Sequence, residues 1–205
     1  MNAPDPQAVK RGRRQLLALA ALFFVPLAVA FWLYYGPAGW RPGGGSNKGD
    51  LIDPARPLQA MALPKPDGTA TGPDWLRGKW TMLYVGDGRC DDRCRKALYL
   101  TRQSRIALNK DMDRVQRVFL VTDHCCDRAF LAQEHPDVVV ALVETAESAA
   151  LLAPFPSYDD VPVAKAGRTY LVDPLGNLMM SYSATAPDKA LLQDVKKLLR
   201  LSHIG

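Results

Sequence analysis

The chain has 205 residues, is 48% hydrophobic and carries a formal net charge of +5, which allows one sizeable core and leaves little room for a second large domain. The charge is uneven: Lys10, Arg11, Arg13 and Arg14 against Asp5 give +3 in the first fourteen residues, while the remaining 191 are nearly balanced at +2. A nucleic-acid-binding domain keeps its basic stripe in the folded part, so nucleic acid is not an expected partner.

Residues 16–35, LLALAALFFVPLAVAFWLYY, contain no charged side chain. As a helix this run is long enough to cross about 30 Å of hydrocarbon, even with Pro26 inside it. Trp32, Tyr34, Tyr35 and Trp40 gather at its far end, where amphipathic rings favour the membrane interface. The basic cluster precedes the run. The positive-inside tendency therefore makes residues 1–15 a cytoplasmic tail, residues 16–35 a single-pass inner-membrane anchor, and everything beyond a periplasmic part. The AVA at 28–30 also has the small-x-small form of a signal-peptide cleavage site, but the apolar run continues past it through FWLYY, which favours the anchor. Residues 36–48, rich in Gly and Pro, read as a linker, and residues 49–205 as the folded domain.

Within that domain, an irregular lead-in, LIDPARPLQAMALPKPDGTATGPDW, precedes KWTMLYVG at 79–86, a buried strand by its continuous apolar run. Residues 93–109 then place Ala97, Leu100, Ser104, Ala107 and Leu108 on one helical face. VQRVFLVTD at 115–123 is a second strand, RAFLAQEH at 128–135 a short helix stopped by Pro136, and VVVALVE another strand. RTYLVDPLGNLMMSYS gives two apolar runs around DPLGN, a hairpin in which Gly176 and Asn177 can take positive φ. The last segment carries Leu191, Leu192, Val195, Leu198 and Leu199 on one stripe, with Pro187 near its start and Lys196, Lys197 and Arg200 towards its negative end. The order is that of a mixed α/β domain opening with a parallel β-α-β unit.

Parallel strands end on the same edge of a sheet, which is where such folds place their sites. Cys90 and Cys94 follow the first strand, and His124, Cys125 and Cys126 follow the second. All four cysteines of the chain are therefore expected to converge. A cysteine pair in an exported protein can be a structural disulfide. Here it flanks a helix start, where free amides, the dipole and Arg89, Arg93, Arg95 and Lys96 favour thiolate, with Asp91 and Asp92 in partial opposition. With three residues between them, two thiolates can exchange disulfides or hold one soft ion such as Cu(I). Adjacent cysteines close a strained ring when bonded to each other, so Cys125 and Cys126 are expected to act separately: as buried thiols, as exchange partners of the first pair, or as soft ligands beside His124. His135 and His203 carry no functional signal.

The membrane run, the linker, NKGDLIDPARPL, the Cys-x-x-x-Cys after a strand, and the TYLVDPLGNL hairpin resemble the Sco/SenC proteins over about residues 47–200. The resemblance implies a thioredoxin-like, glutaredoxin-type fold behind an N-terminal transmembrane helix. It also implies a role in cytochrome c oxidase assembly, with a subunit of the oxidase or other assembly factors as partners and copper as the metal. Cys90 and Cys94 match the family's two copper-binding thiolates. The family's third ligand is a histidine in the loop before the hairpin; counting back from Tyr170 puts Lys165 there, and Asp91 to Arg93 lack the family's usual prolines. Two repairs follow: His124, Cys125 or Cys126 completes the copper site, or a dithiol–disulfide activity remains without copper. A thiol-disulfide oxidoreductase and a binding module that has lost the chemistry are the other readings. The lack of a proline next to Thr169 weighs against a broad oxidoreductase.

Overall fold

The computed structural model describes residues 6–36, 45–202 and 204; Trp40, most of the Gly/Pro segment and His203 lie outside them. The chain divides into two compact units, Met1–Gly45 and Ser46–Gly205. In the first, the helix α1 (Pro6–Tyr35) runs through Pro26 and past residues 28–30 without a break, so the basic residues that precede the apolar run belong to the same helix. At 30 residues it is about 45 Å long. Val9–Tyr35 is apolar and long enough to cross a membrane, with none of it buried in the protein. Leu16, Leu22, Phe23 and Phe31 point outward, a surface that hydrocarbon covers and water does not, while the helix satisfies its own backbone.

The second unit is built on a six-stranded sheet. Its strands are β1 (Asp50–Pro57), β2 (Trp80–Asp87), β3 (Val115–Asp123), β4 (Val138–Leu142), β5 (Thr169–Val172) and β6 (Asn177–Tyr182). They lie in the order β1-β6-β5-β2-β3-β4. β2, β3 and β4 are parallel; β5, β6 and β1 run as an antiparallel meander. The β-α-β unit and the hairpin stand as the periodicity predicts. The continuous apolar run of β2 makes sense at the sheet centre, where both faces are covered.

One face carries Trp80, Met82, Val115, Leu171, Met180 and Tyr182 against α5 (Ala190–Leu201), and Tyr84, Phe119 and Val121 against α2 (Asp92–Ile106) and Leu131 of α3 (Arg128–Glu134). The other face, with Leu83, Val85, Val118, Leu120, Tyr170 and Leu178, is covered by the lead-in residues Leu58, Leu63 and Leu76 and by Leu151 and Phe155, which follow the single turn α4 (Ala146–Ala149).

Three local expectations change. The lead-in is not wholly irregular, because its start forms β1. Pro54 and Pro57 disguise it, yet they are tolerated on an edge strand that pairs on one side only. The buried face of α2 is Cys94, Leu98, Thr101 and Ser104 rather than Ala97 and Leu100. Its polar members disguise it, since Thr101 donates to the Leu98 carbonyl and accepts from buried Arg117, while Leu100 lines a hollow between α2 and α5. On α5, Asp194 is buried while Leu192 and Leu198 are only half-buried. Its carboxylate accepts from the Lys48 and Gly49 amides at 2.8 and 2.9 Å and from the Tyr182 hydroxyl at 3.1 Å, tying the start of the domain to its last helix. A Cβ on Gly49 would strike the Tyr182 ring.

Arg117 and His135 form a second polar island. The Arg117 guanidinium, buried within β3, donates to Asp137 at 2.7 Å, the Leu98 carbonyl at 2.6 Å, Thr101 at 3.1 Å and His135 Nδ1 at 3.2 Å. Burial lowers Arg117 to about 10 against the pull of Asp137. Burial, with Arg117 and Arg102 beside it, holds the His135 imidazole down at about 4.

Two outcomes follow from these buried polar groups. Replacing Asp194 by Ala strands two amides and a phenol, and urea denaturation should show a loss of about 2–4 kcal/mol; an unchanged midpoint would contradict the tie. For His135, an unfolded chain binds its proton near 6.5 and the folded one only near 4. Stability should therefore be full above pH 6.5 and decline as pH falls towards 4. The decline should be shallower in His135→Gln, which keeps an acceptor for Arg117 but does not titrate; parallel curves would contradict the assignment.

Candidate functional site

The site grows from the register of β2 and β3, which pairs Gly86 with Val121 and Asp87 with Asp123. Both strands thus stop at the same level and both cysteine loops leave from one edge. The loops are then clamped to each other at Gly88. Its N–H donates to the Asp123 carbonyl at 2.8 Å and its carbonyl accepts from the Asp127 N–H at 3.2 Å. A side chain at this position would collide with the His124 carbonyl and the Cys125 backbone, so only glycine permits the approach.

In the first loop, Cys90 adopts φ +53° and Asp91 caps α2, its carboxylate accepting from the Cys94 N–H at 3.0 Å. That hydrogen bond, with Arg93 adding to it, lowers the pKa of Asp91. Cys90 and Cys94 are joined as a disulfide with Cα atoms 5.0 Å apart, and each is only 2% exposed. They border a cleft of about 440 Å³ whose walls include Tyr84, Asp91, Arg93 and Lys165. Burial, with Asp91 nearby, pushes the Tyr84 phenol up to about 12. Lys165, in the single turn Val163–Lys165, therefore faces the cysteine pair where the family resemblance calls for a histidine. The cis X-Pro bond among the described residues is Asp53–Pro54 in β1, so none lies at the cleft.

The basic residues expected to favour thiolate are each answered by a carboxylate. Arg89 pairs with Asp87, Arg93 with Asp91, Arg95 with Asp127 and Lys96 with Asp188, at 2.9–3.2 Å. Arg95 also lies over the Phe130 ring at 4.1 Å. Such exposed pairs add little stability, but they cancel the local positive field. The Lys165 ammonium has no such partner among the described residues.

The second loop holds the other cysteines. Cys125 and Cys126 are bonded to each other, with Cα atoms 3.2 Å apart, which corrects the expectation of separate roles. That expectation weighed ring strain alone; in the structure the peptide bond between the two cysteines is cis, within a turn whose residues 123 and 127 are both hydrogen-bonded to Gly88. Cys126 packs on the cluster containing Cys90, Cys94, Phe119 and Leu131, so all four cysteines do share one edge of the sheet. His124 does not point its ring nitrogen at them. Its Nδ1 lies 3.2 Å from Asp87 and 3.0 Å from Asp123, and these three side chains bring their donor atoms within 4.8 Å of one another. Arg89, chiefly, and then His124 hold the Asp87 carboxyl at about 2. Carboxylates and imidazole are donors for harder ions than Cu(I). Gly88 and Asp127 were not singled out from the sequence; the GDG preceding Cys90 was the one visible sign of a close approach.

The described arrangement can be set beside known proteins. ScoI from Bradyrhizobium japonicum, solved with copper bound, superposes with a TM-score of 0.55 at 21% identity, covering 69% of this chain and 98% of its own. Apo Sco1 from Thermus thermophilus gives 0.60 at 20% identity, covering 74% and 96%. BsSco, described as a member of the Sco family of cytochrome c oxidase assembly proteins with a disulfide switch, gives 0.55 at 16% identity, covering 75% and 99%. These likenesses bear out the Sco resemblance as a fold. No curated protein sequence matches the chain. The family described as transmembrane-like, N-terminal domain, matches residues 6–37, in keeping with membrane anchoring through α1. Residues 80–202, from β2 through α5, match the thioredoxin-like companion of that domain, and the chain belongs to the family described as transmembrane-like, thioredoxin-like, C-terminal domain.

Proposed function

We propose that the chain is a Sco-like assembly factor, held in the inner membrane by α1 with its C-terminal domain in the periplasm. Through Cys90 and Cys94 it reduces the copper-site thiols of a cytochrome c oxidase subunit. The observation that carries this reading is the Cys90–Cys94 disulfide in a cleft faced by Lys165. A dithiol form attacks the partner's disulfide with one thiolate, and the second thiolate resolves the mixed disulfide. Two electrons pass to the partner, and Cys90–Cys94 is oxidised to the state seen here. The basic cluster ahead of the membrane run, against a domain of 20 basic and 20 acidic side chains over residues 49–205, supports the orientation.

Copper delivery is the second reading, favoured by two cysteines bordering one cleft. Once reduced, Cys90 and Cys94 fit Cu(I) as a pair of soft thiolates, and copper would be cargo. Lys165 does not fit as a third ligand while protonated. His124 is engaged by carboxylates and Cys125–Cys126 by their own bond, so neither supplies one without rearranging.

The reading has two expected outcomes. A strain expressing the Cys90→Ser/Cys94→Ser variant should fail to assemble active cytochrome c oxidase, and the native disulfide should equilibrate between roughly −120 and −270 mV, as exchange proteins do. Normal assembly with the variant would leave only a binding module. In Cu(I) titrations of the reduced protein against a competing chelator, Lys165→His should tighten binding by at least about tenfold, given that even outer-shell partners of metal ligands are worth about 10- to 100-fold. Equal affinities would show that this turn does not face a metal.

A further inference from the structure

The two disulfides differ in access. Cys90 and Cys94, the pair that would meet a partner, are each 2% exposed, whereas Cys125 is exposed and Cys126 half-buried. The outer pair is not remote. Cys126 lies against the same apolar cluster as Cys90 and Cys94, and Gly88, two residues before Cys90, is hydrogen-bonded to both ends of the turn that carries Cys125 and Cys126. An accessible disulfide is the one an external thiolate attacks, because exchange needs approach to a sulfur. A half-buried cysteine packed on the cluster that holds a covered disulfide is placed to pass the exchange inward.

We infer that Cys125–Cys126 is a second redox-active disulfide, through which a protein dithiol reduces the covered Cys90–Cys94 pair. The inference rests on Cys90–Cys94 cycling between disulfide and dithiol, as in the proposed function. A donor thiolate attacks Cys125 Sγ and displaces Cys126 Sγ as thiolate. The donor's second thiol then resolves the mixed disulfide, leaving the donor oxidised and Cys125 free. Cys126 thiolate attacks the Cys90–Cys94 bond, releasing one of these sulfurs as thiolate. Finally, Cys125 thiolate attacks Cys126 Sγ, reforming the outer disulfide and releasing the second inner sulfur. Two electrons and two protons have moved from the donor to Cys90 and Cys94, and the outer pair is unchanged. The outer pair thus serves the refilling of Cys90–Cys94 with electrons, while their transfer to the partner takes place at the cleft.

The test uses the full chain in detergent, with acid quenching, alkylation and mass spectrometry of the Cys90–Cys94 peptides. Reduced thioredoxin serves as the bulky dithiol and dithiothreitol as the small one. In Cys125→Ser/Cys126→Ser, reduction of Cys90–Cys94 by thioredoxin should slow by at least about tenfold relative to the native sequence, because access to the inner sulfurs is lost. An unchanged thioredoxin rate overturns the relay alone. Resistance of the native Cys90–Cys94 bond to dithiothreitol overturns both the relay and the functional reading. A second measurement needs no kinetics. Cys90→Ser/Cys125→Ser and Cys94→Ser/Cys125→Ser each leave one inner cysteine with Cys126, and one of the two variants should form an intramolecular disulfide under mild oxidation. Failure of both to do so overturns the relay, since a disulfide requires Cα atoms within about 7 Å.

Discussion

Parallel pairing of β2 with β3, in a register that ends both strands at Asp87 and Asp123, is the constraint on which the rest of this molecule depends. It brings two loops far apart in sequence to one place. Gly88 then fixes their separation at backbone contact, with hydrogen bonds to both ends of the second loop. That closeness gathers the chemistry at one edge: the Cys90–Cys94 disulfide at the start of α2, whose cap is Asp91, the Cys125–Cys126 disulfide of the second loop, and the carboxylates of Asp87 and Asp123 beside His124. A slip of one residue in the pairing would turn every side chain of β3 to the opposite face and bury the charges of its end.

The domain holds this edge steady with an interior that is not wholly apolar. Arg117 spends its donors on β4's neighbour Asp137, on α2 and on His135, and so joins three elements behind the cysteine edge. Asp194 does the same at the opposite side, where α5 holds the first residues of the domain. Buried charges of this kind cost desolvation and repay it only when their partners are complete, as they are in both cases. Such groups specify one arrangement of helices over the sheet where apolar contacts alone would tolerate several.

Much of this was legible in the sequence, and the exceptions share a cause. Continuous apolar runs marked β2 and β3, DPLGN marked the β5–β6 hairpin, and the placement of the cysteines after two successive strands implied their common edge. Ser104 was placed on the buried face of α2 from its spacing, but Thr101 was missed because it looks like a surface residue until Arg117 is known to donate to it. β1 was hidden by Pro54 and Pro57, which only an edge position permits. The Cys125–Cys126 bond was hidden because local ring strain can be judged from sequence, whereas the cis peptide between the two residues cannot be read there. Lys165 was the reverse case: its place was anticipated by counting from the hairpin, and it borders the cleft with both cysteines.

The cancelled charges around the cleft bear on how such a protein finds its partner. With Arg89, Arg93, Arg95 and Lys96 each matched by a carboxylate, Lys165 is the basic group lining the cleft that no carboxylate answers among the described residues, and a single charge adds little long-range attraction to encounter. A freely diffusing protein of this kind would associate at an unassisted pace. One held by α1 in the same bilayer as the proposed target would search a thin layer instead of a volume. On the proposed function, the anchor would supply through effective concentration what the surface does not supply through charge, leaving recognition at the cleft to shape and to sulfur chemistry.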